Sequence, residues 1–295
     1  MQRLGTLRSV LFVPGNRPER IDKAMASEAD AVIIDLEDAV PASEKAAARE
    51  IAAKKLGSAG DRKVLVRING TDTTFFHDDL AAILKPGLSC LMIPKIEDER
   101  SILLLHELMR AKEVQEKMET VPVLATIESA RGVANSNAIA QTTTDPPRLH
   151  TLVFGAADYT SDMGVEITKD GQELAYPRAR VAVACRAAGL FPPLDTPFML
   201  DLKDLQALEA DAIRGKQLGF GGKFCIHPNQ IYIVNRTFSP RPEEIRQAQA
   251  VVHAFEEAQA KGVGAIQVDG KFVDKPVVER ARQILMLVRR LGVGG

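Results

Sequence analysis

Short apolar runs alternate with longer amphipathic stretches along this chain, and the alternation repeats eight times. The runs occupy residues 9–14, 31–37, 64–69, 90–95, 121–128, 151–158, 192–195 and 223–227. They are rich in Val, Ile, Leu and Phe without strict polar alternation, as parallel strands covered on both faces require. The seventh, within PPLDTP, is the weakest, being short and crowded with proline. Helical spacing fills residues 18–27, 43–56, 98–118, 178–188 and 202–218, with Pro18 opening the first and Ser43 expected to cap the second. Eight βα units predict an α/β fold of the (β/α)8 TIM-barrel type. A doubly wound open sheet is the alternative, and no GxGxxG follows the first run to favour it.

Some sixty residues follow the eighth run. They read as a helix over 243–261, a hairpin over 265–275 turning on Asp269-Gly270, and a helix over 280–291. This exceeds what the eighth helix of a barrel needs. The expected division is therefore a barrel domain, 1–240, and a C-terminal arm, 241–295, packed on a neighbouring subunit in a homo-oligomer.

Composition narrows the class. At 295 residues with 45% hydrophobic residues and a mean hydropathy of -0.06, the chain can bury a large core. A net charge of -1 with 26% charged residues leaves no polybasic field, so nucleic acid is not an expected partner. A pocket for a phosphorylated cofactor stays open. The three cysteines are widely spaced and odd in number, which fits a reducing compartment. The N-terminus lacks a signal-peptide layout, and no apolar run is long enough for a membrane span, so the expectation is a cytoplasmic protein.

Polar groups gather at the downstream ends of the runs, which a parallel barrel brings to one face. Glu128 ends the fifth run, VPVLATIE, and Asp158 the sixth. Alone, either acid is as readily a helix cap or half of an ion pair as a metal ligand. Together on adjacent strands they suit Mg2+, which takes one or two protein carboxylates and fills its octahedron with water and substrate oxygens. No His/Cys cluster has zinc spacing. Arg67 interrupts an apolar strand, where it pairs with Glu37 or Asp38, grips a substrate carboxylate, or stabilises an oxyanion. Asp35, Glu37 and Asp38 form an acidic cluster that orients Arg67 or holds metal-bound water. Lys45 and Arg49 read as a solvated or pairing helix face, and His227 as a buried, hydrogen-bonded histidine.

The ordered set RSVLFVPGNRPERIDKA, ADAVIIDLEDAV, VRIN, IPKIE, TIESARG, VFGAADYTSDMG and GKFCIHPNQI resembles the citrate lyase β-subunit family. That family of (β/α)8 acyl-thioester lyases includes malyl-CoA and citramalyl-CoA lyases and is related to the HpcH/HpaI aldolases. The resemblance runs from about Arg8 to the end of the chain. It implies that Arg67 and Glu128 contact substrate and that Glu128 and Asp158 bind Mg2+. It places Phe12, Arg20, Lys23 and Lys45 beside a coenzyme A site. It also implies that Asp274, in Gly270-Lys271-Phe272-Val273-Asp274, is a catalytic acid/base supplied to a neighbouring active site, in a homotrimer or hexamer. Tyr159 departs from the family, many members having Leu there. The implied reaction is Mg2+-dependent cleavage of a 3-hydroxyacyl-CoA to acetyl- or propionyl-CoA and a 2-oxo acid, or the reverse condensation. A citryl-carrier-protein lyase subunit and a non-catalytic barrel binding a CoA ester are the alternatives.

Overall fold

The computed structural model describes residues 4–260 and 264–292. The chain divides into two compact units, one ending at Phe238 and the other beginning at Ser239.

The first unit is a closed barrel of eight parallel strands in sequential order. Strands β1 (Ser9–Pro14), β2 (Ala31–Asp35), β3 (Val64–Arg67) and β4 (Cys90–Ile93) are followed by β5 (Val123–Ile127), β6 (Leu149–Phe154), β7 (Leu194–Asp195) and β8 (Gly222–Cys225). Around them run α1 (Pro18–Met25), α2 (Lys45–Leu56), α3 (Phe76–Ile83), α4 (Glu99–Gln115) and α5 (Ala130–Ala140). The helical layer continues with α6 (Ala156–Met163), α7 (Ala175–Ala187), α8 (Leu205–Gln217) and α9 (Asn229–Phe238). The (β/α)8 barrel expected from the alternation is the architecture observed.

Strand alternation divides the apolar residues between two cores. Ile33, Leu65, Met92, Leu124, Val153 and Phe224 fill the barrel interior, whereas Val32, Val66, Leu91, Val123 and Leu152 pack in the layer beneath the helices. By the same parity Asp35, Arg67, Glu128 and Thr196 belong to the inward-facing set at the downstream rim. Closure depends on Gly222, since a Cβ there would stand 2.0 Å from the Leu7 carbonyl oxygen. Among the described residues no helix is long and apolar enough to cross a membrane.

Strands β2 to β6 and β8 stop earlier than the apolar runs because the last residues of those runs already belong to turns or helix starts. Asp98 caps α4, its side chain accepting from Ser101 N at 3.1 Å. Ser43 does not cap α2; it lies in a single 3-10 turn, Ala42–Glu44, that leads into the helix.

The second unit consists of α10 (Pro242–Gln259), a hairpin of β9 (Ile266–Val268) and β10 (Lys271–Val273), and α11 (Lys275–Leu291). Ala248, Val251, Phe255, Val273, Val278 and Ala281 form its core. The hairpin turns on Asp269-Gly270, both at positive φ. Helix α11 begins five residues before the expected Arg280, capped by Asp274. Helix α10 ends at Gln259, and Lys261, where its end was expected, lies outside the described residues.

Candidate active site

The site grows from a register match. Asp35 and Arg67 are cross-strand partners on β2 and β3, both directed inward at the rim. Arg67 donates from Nε to Asp35 Oδ1 and from Nη2 to Asp35 Oδ2, each at 2.7 Å. Its Nη1 lies 3.0 Å from Glu37 Oε2 and 3.3 Å from Asp38 Oδ2. Asp35 also accepts the backbone N–H groups of Glu37 and Ala39 at 3.0 Å, which curls the DLED turn around it. Burial alone would weaken the guanidinium's hold on its proton. The hydrogen bond and charge of Asp35, then Glu37 and Asp38, outweigh that and raise its pKa. Arg67 is thus a fixed cation, and it lies 5.0 Å over the Phe12 ring. Phe12 in turn leans on Phe224 at 4.9 Å.

Glu128 follows the last residue of β5. The next residue, Ser129, caps α5 by accepting from Gly132 N at 3.1 Å, so the chain turns away just after delivering the acid. Glu128 is 5% exposed, and its Oε1 accepts from Lys95 N at 2.7 Å. Lys95 holds that N–H in place with φ at 53°, a strained value for a residue with a side chain. Burial, and next the charge of Asp158, push Glu128 up to about 7. Burial likewise pushes Glu37 up to about 8, with Arg67 opposing and Asp38, Glu128 and Asp35 adding to the rise.

Asp158 does not end a strand, as the apolar run suggested. Strand β6 stops at Phe154, and Asp158 lies in the first turn of α6, half-buried. The intervening Gly155 explains how it approaches Glu128. A Cβ at Gly155 would meet Glu128 Oε2 at 2.6 Å and Glu128 Cβ at 2.7 Å. Only a residue without a side chain lets β5 and the β6–α6 turn come together here.

Phe12, Asp35, Arg67, Glu128, Asp158 and Thr196 share the wall of a cavity of about 350 Å³ at the rim. A second, polar cavity of about 560 Å³ meets it, with Glu128 and Asp158 common to both. Five carboxylates (Asp35, Glu37, Asp38, Glu128 and Asp158) interact here with two cations, Arg67 and Lys95. The imbalance fits a divalent cation, as does Glu37 Oε2, which is buried and accepts no well-directed hydrogen bond. Among the described residues no group of three or more His, Cys, Asp or Glu is arranged as a metal cage. Two acids beside a cavity match the donor number that Mg2+ takes from protein.

The other expected contacts are dispersed. Arg20 and Lys23 lie exposed on α1. Lys45 is 8% exposed and donates from Nζ to the Leu36 and Glu37 carbonyls, both at 2.8 Å, so its ammonium secures the DLED turn instead of facing a solvated phosphate. Its neighbour Arg49 pairs with Asp79 at 2.9 Å. His227 is exposed, not buried, with Nδ1 2.7 Å from Asn229 Oδ1. Asp274 lies in the second unit, accepting from Val277 N at 3.4 Å. Tyr159 is 6% exposed and packs edge-on against Phe154, 5.5 Å between ring centroids. Cys90, Cys185 and Cys225 are buried free thiols. Sequence reasoning missed Gly155, Thr196 and the backbone of Lys95. Thr196 alone left a signal, its period-two spacing from Leu194.

The family model described as HpcH/HpaI aldolase/citrate lyase matches residues 8–228. Citrate lyase subunit beta of Leuconostoc mesenteroides subsp. cremoris is 39% identical over 287 residues, covering 95% of this chain and 92% of that protein. A (3S)-malyl-CoA thioesterase of Cereibacter sphaeroides is 35% identical over 290 residues, covering 98% and 96%. Among solved structures, protein CitE from Mycobacterium tuberculosis, in complex with magnesium, acetoacetate and coenzyme A, superposes with a TM-score of 0.78 at 30% identity over 98% of this chain and 99% of that one. The chain belongs to the HpcH/HpaI aldolase/citrate lyase family, a family of lyases.

Proposed function

We propose that the chain is a Mg2+-dependent carbon-carbon lyase that cleaves a 3-hydroxyacyl-CoA of the malyl, citramalyl or citryl type to acetyl- or propionyl-CoA and a 2-oxo acid. The observation that carries this reading is the meeting of Glu128, Asp158 and Arg67 on one cavity wall. The CitE complex, with magnesium, an oxo acid and coenzyme A bound, supports it.

Glu128 and Asp158 would hold Mg2+, which when bound supplies Lewis-acid polarisation of the substrate's hydroxyl and carboxylate oxygens. The chain's own groups do the rest. Arg67, clamped by Asp35, directs fixed positive charge at the oxygen where the enolate develops, with no reorganisation during reaction. The hydroxyl gives up its proton to water in the cavity, the carbonyl of the oxo acid forms, and the C–C electron pair passes to the thioester enolate. Asp274, supplied by the arm of a neighbouring copy in a homo-oligomer, then protonates the enolate carbon. Phe12 offers an apolar wall beside the thioester, and Arg20 and Lys23 offer cations to coenzyme A phosphates from α1.

The 39% identity to a citrate lyase β subunit favours a second reading, in which the acyl group is carried on a protein. One assay separates the two. Purified protein is given malyl-, citramalyl- and citryl-CoA and a citryl carrier protein, with and without Mg2+. Mg2+-dependent release of a 2-oxo acid from a CoA ester is expected. Cleavage of the carrier-bound substrate alone would favour the second reading. Coenzyme A binding by calorimetry with no substrate cleaved would defeat both.

A further inference from the structure

Helix α6, which carries Asp158, has no cap of its own. Its N-cap residue is Gly155, which lacks a side chain and makes no capping hydrogen bond. Gly155 cannot be exchanged for the usual Ser, Thr or Asp, because Glu128 occupies the space that a Cβ would take. The helix start nevertheless needs an acceptor, since the first N–H groups of a helix have no partner within it. The acceptor comes from elsewhere: Thr196 Oγ1 takes the Ala156 N–H at 3.1 Å, in a buried contact bridging 40 residues of sequence.

Thr196 follows β7, a strand of two residues with one register match to β6 and two to β8. So short a ladder fixes a side chain weakly. A buried ion network on the other face of the strand takes over. Asp195 Oδ1 receives Arg178 Nε at 2.9 Å, and Asp195 Oδ2 receives Lys223 Nζ at 2.8 Å. Asp211 of α8 closes the ring, 2.9 Å from Arg178 Nη2 and 2.6 Å from Lys223 Nζ. Strand alternation turns Asp195 outward into this network and Thr196 inward to the cavity wall, where it is 4% exposed.

We propose that Thr196 is the positioning residue of Asp158: it caps α6 from strand β7 and sets the distance between Asp158 and Glu128, with the Arg178–Asp195–Asp211–Lys223 network as its anchor. The inference rests on the reading that Glu128 and Asp158 hold the metal.

Calorimetric titration of the full chain with Mg2+ tests both statements separately. Asp158→Asn should abolish binding. Thr196→Val keeps the shape and removes the acceptor; it should weaken Mg2+ binding about 10- to 100-fold, the usual cost of losing a group that orients a metal ligand. Thr196→Ser should restore affinity to within about threefold of the parent, since its hydroxyl caps as well. If Asp158→Asn binds Mg2+ normally, the metal reading fails and this inference with it. If Asp158→Asn loses Mg2+ while Thr196→Val retains full affinity, the metal reading stands and the positioning role is overturned. A Thr196→Val protein that unfolds at lower temperature but binds Mg2+ normally has lost only a structural contact, which also overturns it. Thr196→Ala, smaller and equally without an acceptor, gives the same reading if valine prevents folding.

Discussion

Two charged clusters lie in the same barrel, and they are built on opposite principles. Between β7, β8, α7 and α8, Asp195 and Asp211 meet Arg178 and Lys223, each of the four at most 6% exposed, and the half-buried Arg214 stands 3.5 Å from Asp211 at the edge. Burial alone would push Asp211 up, yet Lys223 and Arg178 hold it well below the usual carboxylate range, so the acids of this cluster are compensated. At the rim, five acids face two cations, and burial pushes Glu37 and Glu128 upward because the available cations do not suffice. Arg178 and Asp211 of the first cluster border a cavity of about 30 Å³, whereas the second cluster opens on one of about 350 Å³. Charge alone therefore does not mark a binding site. An unbalanced cluster beside space does, and a balanced one locks structure.

Breaking the balanced cluster should give the largest effect. Lys223→Met removes a fully buried cation and leaves Arg178, helped only at the edge by Arg214, to hold two buried carboxylates. Unpairing a buried network of this kind costs about 3–5 kcal/mol. The unfolding temperature should fall by roughly 10 °C, read by calorimetry with and without Mg2+. An unchanged value would mean that the network is not a lock. At the rim the expectation moves from stability to turnover. Arg67→Lys keeps a charge but cannot reproduce the two-pronged bond to Asp35, so kcat should drop about 10²- to 10³-fold. Equal turnover would remove Arg67 from the chemistry.

The two clusters were not equally legible in the sequence. The strands were legible because runs such as AVII and CLMI are apolar on both faces, a pattern expected of a covered parallel strand. The polar residues at the downstream ends of the runs, Arg67, Glu128 and Asp158, mark which rim carries the site. What the pattern could not carry is non-local. The apolar run into Asp158 reads as continuous strand, while the group that starts the helix there is Thr196, in the proline-rich segment with the weakest signal. Lys45 read as a surface lysine because its partners are the backbone carbonyls of Leu36 and Glu37, which have no sequence signature. The balanced network has no local signature for a related reason, since its four buried members lie on four different elements.

Gly155 sharpens the contrast with a smaller perturbation. Gly155→Ala places a methyl against Glu128 without changing any charge. Overpacking of this kind costs about 1–3 kcal/mol, and here it should fall on the geometry of the two carboxylates. Mg2+ affinity should therefore drop by more than the stability of the metal-free protein does. A loss of stability with normal Mg2+ binding would show that Glu128 has room to move.

At the upstream end of the barrel the fold deals with a titratable group in a third way, by keeping it uncharged. His150 on β6 is stacked on Phe191 at 4.2 Å, with Nε2 3.1 Å from the Gly5 carbonyl. Burial, opposed by that hydrogen bond, lowers its pKa from 6.5 to about 4. The unfolded chain thus takes up the proton first as pH falls. The stability that neutral His150 contributes is complete above pH 6.5 and is lost progressively as pH drops toward 4. At a pH of about 5.5 the loss amounts to roughly 1 kcal/mol. His150→Phe preserves the stacking and removes the proton site, so the parent's urea midpoint should fall relative to the variant's between pH 8 and pH 5.5. A difference that stays constant would mean that His150 accepts its proton within the fold, and that this end of the barrel is as open to solvent as the rim.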